Sequence, residues 1–140
     1  MSVDARVPEG FRRVEPDDPY EAHNGLVYWC DPGDGRIEVG LLAESRHANE
    51  YGYVHGGVMM MMADAAVCMS SRWHDPKEGS VTVSSTSNFV AAAKVGEFLQ
   101  TRSAVVRRTR RLSFVSCEVV AGDRVCMTAT AVIKRLLPKD

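Results

Sequence analysis

The chain lacks the features of an exported or membrane-spanning protein. Its first residues, MSVDARVPEGFRRVEPDDPYE, are polar and acidic and contain no apolar signal-peptide core. No uninterrupted run of about 18 apolar residues occurs, so no transmembrane helix is expected. The four cysteines are scattered without a CxxC pair, and without a signal peptide they indicate reduced thiols. We therefore expect a cytoplasmic protein.

The chain also has little net charge and none of several catalytic motifs. Seventeen basic and eighteen acidic side chains give a formal charge of -1, which argues against a general nucleic-acid binder. No GxSxG sequence occurs, which argues against an α/β-hydrolase. The histidines have no zinc-type spacing and no cysteine partners, so no metal is expected; they are His23, His47, His55 and His74. A length of 140 residues with 45% apolar residues predicts one globular domain.

The pattern of apolar residues predicts two strands, one long helix and then four strands. Strong β-formers over 25–30 and 36–42 flank the turn sequence 31-DPGDG-35 and predict a hairpin. From His55 to about Trp73 methionine and alanine dominate, and the helix that they favour is apolar on nearly every side, as buried helices are. The order indicates an α+β fold in which a curved antiparallel sheet covers one helix. The strands expected after the helix are 80–92, 97–108, 111–120 and 124–135.

The predicted helix begins at 55-HGG-57. A helix N-terminus presents unpaired backbone N–H groups and a partial positive charge. Because Gly56 and Gly57 have no side chains, a ligand oxygen can approach these N–H groups closely, and a carbonyl placed there would be polarised as in an oxyanion hole. The alternative is that the glycines only permit a tight turn from the loop into the helix.

Asp64 is a lone carboxylate inside the apolar run 58-VMMMMADAA-66. No basic residue lies three or four positions away from it, and a buried charge needs either a partner or a purpose. A carboxylate removed from water without a cation is a better base or nucleophile. The alternative is an aspartate that hydrogen-bonds to a neighbouring strand or faces a solvent gap.

Distance along the helix decides whether Asp64 and the helix start can act on one bond. Asp64 follows His55 by nine positions, roughly 13 Å along the axis. A reacting group must approach the carbonyl carbon within about 3–3.5 Å, so one helix cannot supply both groups to one bond. Two antiparallel helices across a twofold axis can supply them, because each N-terminus then lies near Asp64 of the other chain. A catalytic role for both predicts an obligate dimer.

A spaced motif in this region resembles that of the hotdog-fold acyl-CoA thioesterases, in particular the phenylacetate-pathway type. The resemblance covers roughly residues 24–135 and implies one hotdog domain over 23–140, a long central helix wrapped by a curved antiparallel sheet. Residues 1–22 are expected to be an irregular lead-in with at most a short helix. The resemblance further implies an acyl-CoA substrate, no cofactor apart from that coenzyme A, no nucleic-acid or membrane partner, and a homodimer or a tetramer of paired dimers. The matching residues are Asn49, Gly52, His55, Gly56, Gly57 and Asp64.

The resemblance also implies catalytic roles for single residues. Asp64 would be the nucleophile or general base, and the N–H of Gly57 the oxyanion donor. Asn49 would orient substrate or water, and the hydroxyl of Thr82, on the strand after the helix, would position the attacking water. His55 would support the site near the thioester, unless it is only a helix cap.

Further residues are candidates for substrate binding. The turn 107-RRTRR-111 is rich in arginine, which binds phosphates bidentately, so coenzyme A phosphates are one interpretation and a solvated turn is the other. The methionine run 59–62 would shape the acyl pocket or belong to the core. Loop tyrosines would line the acyl channel or stay exposed. The residues expected to bind substrate are Gly56, Tyr51, Tyr53, Met61, Arg108, Arg110 and Arg111.

Three functions fit these residues. The joint presence of the motif, Asp64 and Thr82 favours an acyl-CoA thioesterase. A hydratase or dehydratase of enoyl-CoA shares the fold, but such enzymes usually carry an Asp and a His five positions apart in a different loop. The third possibility is a non-catalytic acyl-CoA-binding module, against which Asp64 argues because a binding module needs no base.

Overall fold

Seven strands and one long helix make up most of the described chain. The computed structural model describes residues 4–72, 75 and 77–138. A single turn of 3-10 helix covers Ser45–His47. The elements in chain order are β1 Arg12–Arg13, α1 Pro19–His23, β2 Tyr28–Cys30, β3 Glu38–Leu42, α2 Gly56–Ser71, β4 Gly79–Phe89, β5 Phe98–Arg108, β6 Leu112–Ala121 and β7 Arg124–Leu136.

All seven strands form one antiparallel sheet in the order β1-β2-β3-β5-β6-β7-β4. The predicted hairpin is confirmed, since Trp29 of β2 lies opposite Val39 of β3. The predicted meander of β5, β6 and β7 is also confirmed. The predicted end of the helix near Trp73 and His74 lies outside the described residues. The α+β hotdog architecture expected from the sequence is therefore the one observed.

The central helix α2 packs into the concave face of the sheet. Its many methionines and alanines favour helix and supply apolar surface, and ten of its sixteen residues are buried. The prediction of an apolar, buried helix holds for most of its circumference. One stripe stays open in the single chain, at three- or four-residue spacing: Gly57, Met60, Asp64 and Cys68. Met60 is 47% exposed, which is unusual for a methionine on a core helix.

Strand β4 is an edge of the sheet with few features that prevent further pairing. It pairs with β7 on one side, and its sequence GSVTVSSTSNF contains no charged residue and no proline. Val83 and Phe89 on it are 60% and 55% exposed. An uncharged, partly apolar edge strand of eleven residues is a template for pairing with another chain.

The segment before β2 is fixed to the body of the protein. The carboxylate of Asp18 caps α1 by accepting from the backbone N–H groups of Tyr20 and Glu21. The next residues are anchored by a hydrogen bond between His47 Nε2 and the carbonyl of Asn24, 2.7 Å, and by fully buried Leu26. The short helix α1 starts within the predicted lead-in and ends one residue beyond it, at His23, whereas the two-residue strand β1 was not predicted.

Two further observations concern the sequence-based expectations. No helix in the described part of the chain is both long and apolar enough to cross a bilayer. All four cysteines are free thiols, and Cys117 and Cys126 are buried. The cytoplasmic location and the boundary between residues 22 and 23 stay predictions.

Glu38 is a buried carboxyl group far along the sheet from β4. It is 6% exposed, and both carboxyl oxygens accept from the backbone N–H of Ser103, at 3.1 and 2.8 Å. Burial outweighs these hydrogen bonds and raises the pKa of Glu38 from 4.5 to about 7. The neutral form of Glu38 is favoured in the folded state. The stabilisation that this group provides is therefore fully present below about pH 4.5 and is lost as the pH rises from there through 7.

Glu38→Gln is therefore expected to stabilise the protein at pH 8 by on the order of 2 kcal/mol, because glutamine resembles the protonated side chain. At pH 5 the variant and the wild type should unfold at nearly the same denaturant concentration. Urea unfolding at the two pH values measures the difference. An equal effect of the substitution at pH 5 and pH 8 would contradict a buried, titrating Glu38.

Candidate functional site

A pocket of about 630 Å³ opens between α1, α2 and the edge strand β4. We call it the Asp64 pocket. Helix α2 contributes Asp64 to one wall, and β4 contributes Thr82 to another. Its volume is typical of small-molecule sites. The pocket is lined by Asp17, Asp18, Glu21, Trp29, Asp64, Ala65, Cys68, Met69, Arg72, Gly79, Ser80, Val81, Thr82 and Leu136.

Strand register aims the hydroxyl of Thr82 at the helix. Thr82 lies directly opposite Ile133 of β7, and Ile133 is fully buried beneath α2. Because directly opposed residues share a face of the sheet, Thr82 also points toward the helix. Its Oγ1 donates a hydrogen bond to Oδ1 of Asp64 at 2.5 Å. Two predicted catalytic residues, 18 positions apart in the sequence, are therefore in direct contact.

Cys68 extends this contact to a third side chain. It lies one helical turn after Asp64, and its Sγ is 3.2 Å from Oγ1 of Thr82. Burial raises the pKa of the Cys68 thiol, while Asp64 raises it further and the hydrogen bond with Thr82 opposes the shift. The thiol is therefore kept protonated at neutral pH, and it can donate to Thr82 while Thr82 donates to Asp64.

The expectation that Asp64 is buried is wrong for the single chain. Asp64 is exposed, at the centre of the open stripe of α2. The strand contact that the sequence left as an alternative is present, since Thr82 hydrogen-bonds to it. The apolar neighbours of Asp64 in the sequence point to other sides of the helix, so they do not cover the carboxylate. Any desolvation of Asp64 would have to come from a substrate or a second chain.

The start of α2 is closed by its own histidine. His55 is the N-cap, and its Nδ1 accepts a hydrogen bond from the N–H of Gly57 at 2.9 Å. The helix-cap alternative for His55 is thus present in the structure. Gly56 has a packing reason as well, because a Cβ there would lie 2.8 Å from the ring of Phe89. The ring of His55 is exposed, so it is free to turn away from the Gly57 N–H.

The loop before the helix is shaped by Asn49. Its Oδ1 accepts from the backbone N–H groups of Tyr51 and Tyr53, at 2.9 and 3.1 Å. Gly52 sits between them with φ of +84°, a conformation that favours glycine. Since Oδ1 is used within the loop, the part of the Asn49 amide suited to a substrate is Nδ2. Tyr51 is 76% exposed, as the loop-tyrosine alternative expected.

A second pocket, of about 460 Å³, lies at the helix start. We call it the helix-start pocket. It shares no lining residue with the Asp64 pocket, so Asn49 and Gly56 lie apart from Asp64 and Thr82 within one chain. This separation agrees with the distance argument from the sequence. Its lining residues are Asn49, Tyr53, Val54, Gly56, Met59, Phe89, Val90, Ala91 and Ala92.

The prediction that Met61 shapes the acyl pocket needs correction. Met61 is 8% exposed and belongs to the hydrophobic core, and it lines neither pocket. Of the four methionines only Met60, on the open stripe, is exposed, whereas Met59 is 4% exposed and lines the helix-start pocket. The helical period turns only one or two residues of a four-methionine run outward, and the sequence does not show which.

The arginine turn divides into a structural half and an exposed half. Nη2 of Arg108 donates to the carbonyl oxygens of Ser70, at 3.1 Å, and of Ser71, so this guanidinium caps the C-terminus of α2. Arg110 and Arg111 are exposed. Together with Lys134 they line a cavity of about 480 Å³ that meets the Asp64 pocket at Leu136.

Sequence reasoning did not assign Glu21, Trp29, Cys68 or Arg72 to the site. Glu21 is half-buried, and burial, followed by the nearby charges of Asp18 and Asp64, raises its pKa to about 7. Cys68 could have been found from its position four residues after Asp64. For Glu21 the sequence carries no such signal, because it reaches the pocket only through the fold of the lead-in.

The described residues contain no group of three His, Cys, Asp or Glu side chains that could hold a metal ion. The groups available for chemistry in the Asp64 pocket include four carboxyl groups, two hydroxyls, a thiol and a guanidinium. A carboxylate hydrogen-bonded to a hydroxyl can take a proton from water, which is the role of a general base.

Comparison with known proteins identifies the family of the chain. The model of the thioesterase superfamily matches residues 51–128. A Pseudomonas aeruginosa protein, PA0474, provisionally named as an esterase, is 27% identical over 127 residues, which cover 90% of this chain and 95% of that protein.

Solved structures show the same fold. The PaaI protein of the Escherichia coli phenylacetic acid degradation operon superposes with a TM-score of 0.78 at 16% identity, over 88% of each chain. The Streptococcus mutans protein smu.793, solved with acetyl-CoA bound, superposes with a TM-score of 0.71 at 20% identity, over 80% of this chain and 90% of that one. At these identities the likeness concerns the fold alone.

Proposed function

The chain belongs to the thioesterase superfamily and is a thioester hydrolase, and we propose that it cleaves acyl-CoA to coenzyme A and a carboxylic acid with Asp64 as the reacting carboxylate. The observation that carries this assignment is the hydrogen bond from Thr82 to Asp64 at the wall of a ligand-sized pocket. Acetyl-CoA in the smu.793 structure, which has the same fold, supports coenzyme A as the carrier.

A thioester suits this small set of groups. Its carbonyl is more electrophilic than that of an ester or amide, and a thiolate leaves readily, so no nucleophilic serine triad is needed. As general base, Asp64 takes a proton from water while the water oxygen bonds to the carbonyl carbon. The C–S bond then breaks and the thiolate takes up a proton. As nucleophile, the Asp64 carboxylate would attack the carbonyl carbon and expel the thiolate, which takes up a proton, and water would then open the resulting anhydride to the free acid and Asp64. In both routes Thr82 fixes the carboxylate, and its oxygen can accept from the water.

We propose that the oxyanion donor comes from a second chain. Gly57 and Asp64 are seven positions apart on the open stripe, roughly 10 Å along the axis, with exposed Met60 near the midpoint. A twofold axis at Met60 would set two α2 helices antiparallel and bring Gly57 of each chain opposite Asp64 of the other. Because Gly57 has no side chain, the two helices can approach each other closely at this position. One dimer then contains two complete sites.

The edge strand supports the same twofold axis. Thr82 links β4 to the open stripe of α2, so the edge and the stripe form one continuous surface. An isologous contact about this surface would pair β4 with its copy in antiparallel fashion, and it would cover Val83 and Met60. Both are exposed apolar residues in the single chain. A tetramer of two such dimers is compatible with this arrangement.

The helix start needs one local change to act as an oxyanion hole. A thioester oxygen would replace Nδ1 of His55 as the acceptor for the N–H of Gly57, with the exposed imidazole turning aside. Asn49 lines the adjoining helix-start pocket, and its Nδ2 would orient the substrate. His55 then has two roles: it caps α2 when no substrate is bound, and it lies beside the thioester when substrate is bound.

Release of free thiol from short, long and aromatic acyl-CoAs tests the function, with Asp64→Ala as the control. A hydrolase releases thiol from at least one of them, and the release depends on Asp64. Tight binding of acyl-CoA without thiol release would favour a binding module instead. Water addition to enoyl-CoA without thiol release would favour a hydratase.

The exposed arginines are expected to hold the phosphates of coenzyme A. Arg110→Gln together with Arg111→Gln should raise KM for an acyl-CoA about tenfold, because two phosphate contacts are lost. The same acyl group on pantetheine, which lacks the nucleotide phosphates, should show little change in KM. The two substrates are compared by steady-state thiol release.

Arg108→Gln is the matched control for this pair. It is expected to lower the thermal stability, since Arg108 caps α2, and to affect both substrates alike. Equal KM values of the double variant and the wild type for acyl-CoA would place the phosphates elsewhere.

A further inference from the structure

The segment before the hotdog strands contributes a carboxyl group to the Asp64 pocket. Glu21 lies on α1 and lines the pocket that also contains Asp64 and Thr82. The superfamily match begins at residue 51, so α1 lies outside the matched residues. The Glu21 carboxyl group therefore lies outside the residues that the superfamily model matches.

Both backbone polar groups of Glu21 are hydrogen-bonded, which fixes the position of this residue. Its N–H donates to Oδ1 of Asp18 at 3.0 Å, and its carbonyl accepts from the N–H of Leu26 at 3.0 Å. Leu26 is fully buried, so this anchor belongs to the core. A side chain on such a fixed segment meets a ligand in one place, which is what selection between ligands requires.

The pocket around Glu21 is rich in negative charge. The charged and titratable groups that line it are Asp17 and Asp18 from the α1 side and Asp64, Cys68 and Arg72 from α2. Arg72 is the one basic residue among these lining residues. Apolar surface from Trp29 and Met69 lies beside them, which suits an aliphatic or aromatic chain. An acyl group in the pocket beside Asp64 would meet both apolar surface and carboxyl groups.

We infer that Glu21 is a specificity-determining residue that selects acyl groups by the charge of their far end, rejecting those that end in a carboxylate and accepting those that end in a neutral or cationic group. The inference rests on the proposed acyl-CoA hydrolysis. Its physical basis is like-charge repulsion across a partly desolvated pocket, and attraction when the acyl end is an ammonium.

Glu21 also gives this selection a pH dependence. Burial and the negative charges of Asp18 and Asp64 raise its pKa to about 7. The carboxyl is therefore mostly ionised at pH 8 and mostly neutral at pH 6. A carboxylate at the end of an acyl chain, with an ordinary pKa near 4.5, is ionised at both values. Rejection of such acyl groups should be stronger at pH 8 than at pH 6.

Three six-carbon substrates that differ only at the far end test the inference: hexanoyl-CoA, adipoyl-CoA and 6-aminohexanoyl-CoA. The quantity measured is the ratio of kcat/KM for hexanoyl-CoA to that for adipoyl-CoA, at pH 6 and pH 8, with enzyme-free thiol release subtracted. In the wild type the ratio should rise by about threefold to tenfold between pH 6 and pH 8. In Glu21→Gln the ratio should stay at the lower, pH 6 value of the wild type at both pH values. The preference that the wild type should show for 6-aminohexanoyl-CoA should be lost in this variant.

Glu9→Gln removes the same charge from an exposed position outside the pocket and should keep the wild-type ratios. Glu21→Ala serves if the glutamine variant is poorly folded, with the same expected ratios. A ratio that is unchanged in the Glu21 variants, while hydrolysis still depends on Asp64, would overturn the inference and leave the proposed function standing. No thiol release from any of the three substrates or from the wider acyl-CoA panel would overturn both.

Discussion

Asp64→Asn is expected to lower kcat for acyl-CoA hydrolysis by about 10³-fold, with the fold intact. Asparagine keeps the size of the side chain and can still accept the hydrogen bond from Thr82, but it can neither take a proton from water nor attack the carbonyl carbon. Because Asp64 is exposed in the single chain, its replacement removes no core packing. Steady-state thiol release measures the loss.

The matched control is Asp123→Asn, an exposed aspartate in the turn between β6 and β7. It should retain the wild-type rate. Circular dichroism and size-exclusion chromatography should give the same fold and assembly for both variants. A native rate in Asp64→Asn would show that another group carries the reaction.

Gly57→Pro is expected to lower kcat by about 10²- to 10³-fold, because it removes the backbone N–H that would bind the oxyanion. Proline is tolerated in the first turn of a helix, where backbone N–H groups have no partner within the helix, so α2 should still form. The variant also loses the hydrogen bond from the N–H of Gly57 to Nδ1 of His55, which caps α2. This loss is expected to lower the free energy of unfolding by about 1 kcal/mol.

Gly57→Ala is the control for this variant, since it adds a methyl group but keeps the N–H. Its Cβ would lie 3.1 Å from Nδ1 of His55, so a small shift of the exposed imidazole is enough to admit it. A rate far above that of the proline variant is expected. Equal losses in the two variants would assign the effect to crowding and not to the missing N–H.

The sequence predicted the fold because its signals are local. Turn residues separate the strands, and the methionine and alanine run has a high intrinsic helix propensity, so α2 and the meander begin and end within a few residues of their predicted bounds. The 3-10 turn at Ser45–His47 was missed, because the side-chain contacts of His47 with Glu44 and Asn24 that fix it depend on the folded chain.

The site was predicted in its composition and less well in its geometry. Asp64 and Thr82, which the resemblance assigned to one catalytic site, are in direct contact. The burial of Asp64 could not be predicted from apolar neighbours, since neighbours in a helix point in different directions. Arg108 and Arg110 look alike in the sequence, but strand register turns only Arg108 toward the carbonyls of α2. Glu21 enters the pocket from a segment whose path no local pattern specifies.

Within one chain, the predicted reacting carboxylate and the predicted oxyanion donor lie apart. Asp64 and the start of α2 line separate pockets, and the open stripe and edge strand lie between them. If Asp64 and Gly57 act on the same thioester, as proposed, every reacting bond needs two chains. Neither the Asp64→Asn protein nor the Gly57→Pro protein is then expected to be active alone, whereas a dimer with one chain of each contains all the groups of one intact site.

Coexpression of the two variants with different affinity tags, followed by purification over both tags, tests this claim most directly. In a mixed dimer, Asp64 of the Gly57→Pro chain faces Gly57 of the Asp64→Asn chain, which makes one intact site out of two. Thiol release from the mixed dimer should then reach about half of the wild-type rate. A mixed dimer no more active than its two parents would contradict a site shared between chains.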